Sequence, residues 1–289
     1  METQYIDLHS HSIYSDGDLL PEENIRVAAI NGLDIFTISD HDNYRGYFQA
    51  LKIAQDLPIT LIPGTEFTAK KYHLLALNYN PFDKEFQQFC EYSRQIQEGE
   101  GERRVQMLQG YNVPINMKKL KNNCPSSRIG KGNIIRTLMT DPECREYIAK
   151  NHKGQTMGQI VDFYIGDNGL ISNLDNRRGV RESDAIAATH KAGGIIGVAH
   201  ITKETDSIED LDKLVAQGID FMEVQPRLLE KFNYQKFIDH AEKINLPMSY
   251  GSDYHGPSLV KRTMLSRDSN ILHENLARIL DKGFVKIDR

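Results

Sequence analysis

The chain has 289 residues, enough for one large α/β domain or for one domain carrying an insertion. Hydrophobic residues at 39% and charged residues at 26% are ordinary for a soluble globular protein, and no apolar run approaches the roughly 18–20 residues needed to span a bilayer. The formal net charge of −5 argues against an extended nucleic-acid-binding surface while leaving room for a local basic pocket.

The first apolar, β-rich run, Tyr5–Leu8, follows a polar start, so no signal peptide is expected. It ends in Asp7-Leu8-His9-Ser10-His11, with Asp16 and Gly17 behind. Pro21-Glu22-Glu23-Asn24 opens a helix with Pro near its first position and acids in its first turn, and Asn31-Gly32 closes it. A second run, Ile35–Ile38, delivers Ser39-Asp40-His41-Asp42, and a third, Ile59–Ile62, leads to Gly64-Thr65-Glu66. Only Ala69-Lys70-Lys71 separates the Glu66 strand from Tyr72–Asn78, whose apolar part is His73–Leu77. That is hairpin length rather than crossover length, and antiparallel pairing across it would bring His73 close to Glu66.

The rhythm then breaks. Residues 81–181 read as a mainly helical insertion, with Phe82–Gln97, Glu102–Gln109, Asn133–Leu138 and Met157–Tyr164 as its helices. Beyond it, Ser183-Asp184 caps a helix over Ala185–Lys191 that stops at Gly193-Gly194, and the strand Ile195–Ala199 ends in His200. A helix over Ser207–Gln217 stops at Gly218. The strands Ile219–Val224 and Met248–Tyr250 follow, the last delivering Gly251-Ser252-Asp253-Tyr254-His255-Gly256. Strands alternating with short helices indicate parallel β–α units, so residues 1–80 and 182–289 are expected to form a barrel. A barrel collects its strand ends, and its catalytic groups, on one face. Cys90, Cys124 and Cys144 are odd in number and lack C-x-x-C spacing, which fits free thiols in a reduced cytoplasmic setting.

On an extended chain His9 and His11 share a face, so two imidazoles can grip one ion, and Asp7 has the parity to orient one of them. An H-x-H pair alone is more commonly a surface or core histidine pair. Followed by x4-D-G at a strand end it points to metal. His41 between two aspartates also fits a capping cluster, and Asp253 with His255 also fits a plain turn. Their coincidence at successive strand ends favours metal binding. His152, His190, His240 and His273 have no acidic partner in their own segments and are expected to be solvated or packed side chains.

These segments together resemble the polymerase and histidinol phosphatase (PHP) superfamily. The resemblance runs through Asp-Leu-His-Ser-His, Ser-Asp-Gly, Ser-Asp-His-Asp, Gly-Thr-Glu, His73-Leu-Leu, His200 after Ala-Gly-Gly-(x)5, and Gly-Ser-Asp-Tyr-His-Gly, and covers nearly the whole chain. Within the superfamily the chain is most similar to the branch of nucleoside 3',5'-bisphosphate phosphatases and related 5'-to-3' RNA exonucleases. The resemblance implies a distorted seven-stranded β/α barrel, TIM-like, with two to three divalent ions (Mn, Fe or Zn). His9, His11, Glu66 and Asp253 would hold the first ion. Glu66 would be shared with a second ion on His73 and His200, and Asp16, His41 and His255 would hold a third. The chain departs from the family pattern at three places. Ile201 stands where Pro often follows the histidine, no His follows Glu223-Val224, and Gly130-Lys131-Gly132-Asn133 replaces Gly-Arg-Pro-His.

Phosphate must also be held. Arg128, Lys131, Arg136, Arg177 and Arg178 in and around the insertion, with Arg227 near the missing His, are the basic candidates. The stretch Ser126–Asn133 enters a helix whose first amides favour an anion, and it is not a Walker A loop. The expected function is a metal-dependent phosphoesterase acting on a small phosphorylated substrate, a nucleotide, with no membrane partner. Bound ions lower the pKa of water to about 7, which supplies the nucleophile. Asp40 and His255 are candidate proton donors to the leaving group. The 3'-phosphate of a nucleoside 3',5'-bisphosphate is the expected target. The alternatives are 5'-to-3' cleavage of short 5'-phosphorylated RNA, another phosphomonoester such as histidinol phosphate, an amidohydrolase, or a non-catalytic metal-binding protein.

Overall fold

The computed structural model describes residues 4–123, 129–166, 169–171, 179–201, 207–226, 229, 234–257, 263–266 and 274–286. Seven strands pair in chain order into one sheet: β1 (Ile6–Asp7), β2 (Ile35–Ile38), β3 (Thr60–Thr68), β4 (His73–Leu77), β5 (Ile195–Val198), β6 (Phe221–Val224) and β7 (Met248–Tyr250). Pairing is parallel except at β4, which runs antiparallel to both neighbours. The Leu8 amide donates to Tyr250 O at 3.0 Å and the Asp253 amide to His9 O at 2.9 Å, which brings β7 back against β1 and rounds the sheet into a barrel. The expected mixed α/β barrel is the observed fold.

Helices α1 (Pro21–Ile30) and α2 (Arg45–Ala54) cross over between the first three strands. Between β4 and β5 lie α3 (Lys84–Gly110), α4 (Met117–Asn123), α5 (Lys131–Thr140), α6 (Pro142–Asn151), α7 (Met157–Ile165) and α8 (Glu182–Lys191). The last crossovers are α9 (Ile208–Gln217) and α10 (Gln235–Lys243), and α11 (Glu274–Leu280) follows β7. Local chemistry sets several of these ends. Ser207 caps α9 by accepting from the Asp210 amide, and Gly218, at φ 103°, stops it in the left-handed region. Helix α8 starts three residues earlier than expected, because Glu182 and Asp184 are favoured within a first turn rather than ahead of it.

Helix α3 differs most from expectation. It runs unbroken for 27 residues through Gly99 and Gly101, where two separate helices were expected. A Cβ on Gly101 would lie 2.7 Å from Ile129 Cβ, so this glycine permits a close helix–loop approach instead of marking a break. Two cores flank it. Its first turns bury Phe86 and Cys90 against Phe67 and Tyr79 of the barrel's outer layer. Further along, Val105 and Leu108 join Leu120, Ile134, Leu138 and Tyr164 in a core belonging to the insertion. Side-chain packing therefore divides the segment within α3, not at its start.

The barrel interior is filled by Ile6, Leu8, Ile35, Ile62, Leu75, Leu77 and Phe221, with Leu276 and Leu280 of α11 packed on them. The Asn78 side chain, just past β4, donates to the carbonyls of Leu280 and Val285 and so fixes α11 at the end of the barrel away from His73. The opposite end is left to polar groups. Among the described residues no helix is long and apolar enough to cross a membrane.

Candidate metal centre

The polar end is built around Glu66, which is fully buried on β3. Its Oε2 lies 3.2 Å from His9 Nε2, 3.2 Å from His11 Nε2 and 3.0 Å from His41 Nδ1. Its Oε1 faces His73 Nδ1 at 2.9 Å and His200 Nε2 at 3.0 Å. The His73 contact is what the hairpin predicts. Thr68 pairs with His73 across the antiparallel ladder, and Glu66 sits two residues back on the same face. Regular strand β1 ends at Asp7, but the bridge between Ser10 and Tyr254 keeps the chain extended, and the two imidazoles meet with Nε2 atoms 3.0 Å apart. Asp253 Oδ1 stands 3.2 Å from His11 Nε2, and His255 Nε2 stands 3.2 Å from Asp16 Oδ1.

All nine residues expected as ligands thus converge on one mouth. Donor atoms lie within 4.8 Å of one another in three groups: His9, His11 and Asp253; His41, Glu66 and His73; and His11, Asp16, His41 and His255. The groups overlap more than expected, since His11 and His41 each face two of them.

The donor set fits cations. Glu66 Oε2 and Asp16 Oδ1 are buried and take no well-aligned hydrogen bond, although imidazole nitrogens crowd both. Two buried imidazole nitrogens facing each other, as in His9 and His11, need a proton or a cation between them. Without an ion, protons take that place. Burial would lower the His9 pKa, but Glu223 and Glu66 hold it well above the usual imidazole value. Burial is likewise outweighed at His11, which Asp253 and Glu66 raise to about 9. Against burial, His255 and His41 hold Asp16 well below the carboxylate range, and His41, His9 and His73 do the same for Glu66.

Buried carboxylates around the cluster set its geometry. Asp40 accepts from the Ser12 amide at 2.7 Å and from the Ser12 and Ser15 hydroxyls, each at 2.6 Å. Ser15 Oγ in turn lies 3.3 Å from His11 Nδ1, so Asp40 reaches the cluster through Ser15. Asp42, at φ 53°, accepts from the Thr68 amide at 3.0 Å and from Ser93 of α3 at 2.6 Å. The expectation for Asp7 is corrected. Its oxygens accept from the backbone amides of Ser252, Leu265 and His9 rather than from an imidazole, and burial pushes its pKa up to about 6. The carboxylate on His9 is Glu223, 2.7 Å from Nδ1. Sequence reasoning missed it, and the available signal was an acid inside the apolar β6 run.

Of the expected phosphate-binding residues, Arg128, Arg177, Arg178 and Arg227 lie outside the described residues. Lys131 opens α5 at the edge of the site. A Cβ on Gly130 or Gly132 would come 3.1 or 3.6 Å from Asp16 Oδ2, so the first turn of α5 rests directly on a cluster residue. Arg136, one turn further on, donates to Asp16 O at 3.3 Å and is paired with Asp18. The other histidines stay apart. His190 and His240 pair with Asp220 and Asp212, and His152 contacts Gln155 and Tyr164. His273 lies outside the described residues.

The family model described as PHP domain matches residues 7–155. The chain is 28% identical over 263 residues to a 5'-3' exoribonuclease of Haemophilus influenzae, covering 88% of this chain and 91% of that protein. It is 25% identical over 266 residues to a 3',5'-nucleoside bisphosphate phosphatase of Chromobacterium violaceum, covering 87% of each. Among solved structures, a Bifidobacterium adolescentis protein assigned to the metal-dependent phosphoesterases shares the fold with a TM-score of 0.75 at 24% identity, over 97% of this chain and 96% of that one.

Proposed function

The chain belongs to the PHP domain family and is a metal-dependent phosphoesterase, and we propose that it releases the 3'-phosphate of nucleoside 3',5'-bisphosphates. In this reading His9, His11, Glu66 and Asp253 hold one divalent ion, Glu66, His73 and His200 a second, and Asp16, His41 and His255 a third. Mn, Fe and Zn all suit imidazole with carboxylate. Such ions supply a water acidified to a pKa of about 7 and positive charge for the phosphoryl oxygens.

The protein's own groups bind and orient. His255 serves as an ion ligand. Asp40, whose oxygens are taken by Ser12 and Ser15, acts on His11 through Ser15 and not on the leaving group. The observation that carries the substrate reading is the contact of α5 with Asp16. Gly130 stands at the N-cap of α5, and its own N–H goes to Asn133 Oδ1 at 2.8 Å. The positive end of the α5 dipole, with the charge of Lys131, whose Nζ lies 3.5 Å from Ile165 O, would form an anion-binding edge beside the cluster. A phosphate held there contributes binding energy remote from the scissile bond.

A second reading, 5'-to-3' removal of nucleotides from short 5'-phosphorylated RNA, is favoured by the higher identity to the Haemophilus exoribonuclease. Comparing kcat/KM for adenosine 3',5'-bisphosphate, AMP and a 5'-phosphorylated dinucleotide separates them. The bisphosphate should lead by at least about tenfold, corresponding to about 1.4 kcal/mol of transition-state binding. A dinucleotide ahead by that margin establishes the second reading, and AMP ahead removes both.

A further inference from the structure

Glu223 is wholly buried on β6 and belongs to none of the three donor groups, yet it touches two of the segments that build them. Its Oε1 is 2.7 Å from His9 Nδ1. Its Oε2 accepts from the His200 backbone amide at 2.7 Å and from Gln225 Nε2 at 3.0 Å. His200 has φ 29°, a backbone conformation that a side-chain-bearing residue adopts only when its surroundings enforce it. The fold also makes room for this carboxylate. A Cβ on Gly251, just past β7, would lie 2.2 Å from Glu223 Oε1 and 2.4 Å from His9 Cβ.

We propose that Glu223 is a positioning residue for the metal centre, fixing the His9 ring and the His200 backbone on both sides of Glu66 at once. With Nδ1–H donated to Glu223, His9 directs Nε2 at the cluster, where Glu66 Oε2 lies 3.2 Å away, and an ion that displaces the Nε2 proton would meet its lone pair. A carboxylate behind an imidazole in this way makes the far nitrogen a stronger donor. The second oxygen holds the turn at His200 that aims its Nε2 at Glu66 Oε1, 3.0 Å away. One carboxylate therefore couples ligands assigned to two different ions. Both of its oxygens receive donors, so an amide in its place must set its NH2 against one of them.

The inference rests on the cluster binding metal, as proposed above, and the test keeps the two apart. Zinc affinity of the full-length chain would be measured by chelator competition, with the number of bound ions from elemental analysis, for wild type, Glu223→Gln and Glu223→Asp. Outer carboxylates of this kind contribute about 10–100-fold in affinity, and Glu223→Gln should lose that much. Glu223→Asp, too short to span both partners, should fall between. KM for the active substrate should not move, because Glu223 does not face the α5 edge. A merely structural role would lower metal-free thermal stability and leave the zinc affinity of the folded chain unchanged, and that result overturns the proposal. If the variants do not fold, the wild-type zinc form decides by 15N spectroscopy of its imidazoles. Ligation of His9 through Nε2 with Nδ1 protonated supports the assignment, and ligation through Nδ1 overturns it. A wild type that takes up no zinc would instead defeat the metal-centre reading itself.

Discussion

Replacing Glu66 by Gln tests whether the cluster works as one unit. The side chain is fully buried, and its two oxygens face five imidazole nitrogens at 2.9–3.2 Å. Gln keeps the shape, removes the charge and turns an NH2 towards lone pairs that need a cation. Removing one partner from a buried charge pair costs about 3–5 kcal/mol. At about 1.4 kcal/mol per decade, that is about two to three and a half decades of affinity. The net loss should sit at the lower end, because Glu66 also stabilises the metal-free state by pairing with protonated His9 and His11. Since Oε1 and Oε2 face different histidines, more than one ion should weaken together. Elemental analysis after equilibration in a buffer of fixed free Mn or Zn measures this, with activity followed in parallel. If Glu66→Gln sheds one ion while the others keep wild-type affinity, the shared-carboxylate reasoning fails.

Metal uptake should release protons, because His9 and His11 are charged in the metal-free chain at neutral pH and must be neutral to ligate. Affinity should therefore rise with pH up to about pH 9, the pKa of metal-free His11. Calorimetric heats that do not change with the buffer's ionisation enthalpy at pH 7 would contradict this. Metal-free stability has the opposite sign. The His11 pKa of about 9 is raised on folding, so its contribution is complete below about pH 6.5 and is lost as pH climbs through about 9, as thermal melts across that window would record. Lys131→Ala should raise KM for the bisphosphate and leave the number of bound ions unchanged, and identical kinetics on every active substrate would remove Lys131 from the phosphate edge. In α3, Gly99→Ala meets nothing within 4 Å and should stabilise by about 0.5–1 kcal/mol, whereas Gly101→Ala meets Ile129 and should destabilise by about 1–3 kcal/mol. Denaturant titration of the two variants checks the contrast.

The cluster residues were legible because each is written next to a strand signal. His41 follows a β-branched run, Asp253 and His255 stand between glycines, and the three-residue link before Tyr72 announces the hairpin. What sequence concealed depends on contacts between distant residues. Asp7 and Glu223 lie within β1 and β6, and which of them meets an imidazole is decided by how β7 returns against β1. Asp7 is claimed by the amides of Ser252 and Leu265, which leaves His9 Nδ1 to Glu223. The course of α3 was hidden for the same reason. Gly99 and Gly101 look alike in sequence, and only the position of Ile129 shows that the second is required by packing. Helix α6 was not expected, although Asp141-Pro142-Glu143 carries a start signal whose N-cap accepts from the Cys144 amide, because short polar helices in an insertion carry too little apolar periodicity to stand out.

The reversal of β4 is what lets one carboxylate meet imidazoles on both of its oxygens. In an all-parallel barrel each strand brings only its C-terminal end to the mouth. Running β4 backwards brings its first residue, His73, there instead, next to the end of β3. Register then decides the chemistry. Thr68 pairs with His73 and Glu66 with Leu75, so Glu66 and His73 occupy one face as diagonal neighbours. A slip of one residue would turn Glu66 to the other face and leave His9 and His11, just past β1, without their common acceptor. The register is held from both sides. The Ala69 amide donates to Tyr72 O at 3.0 Å within the turn, and the Asp42 amide donates to Glu66 O at 2.9 Å across from β2. The second bond also sets His41 beside Glu66, so the backbone contact that fixes the strand delivers a further imidazole to the same oxygen. The convergence of imidazoles on Glu66 thus depends on strand pairing as much as on residue identity.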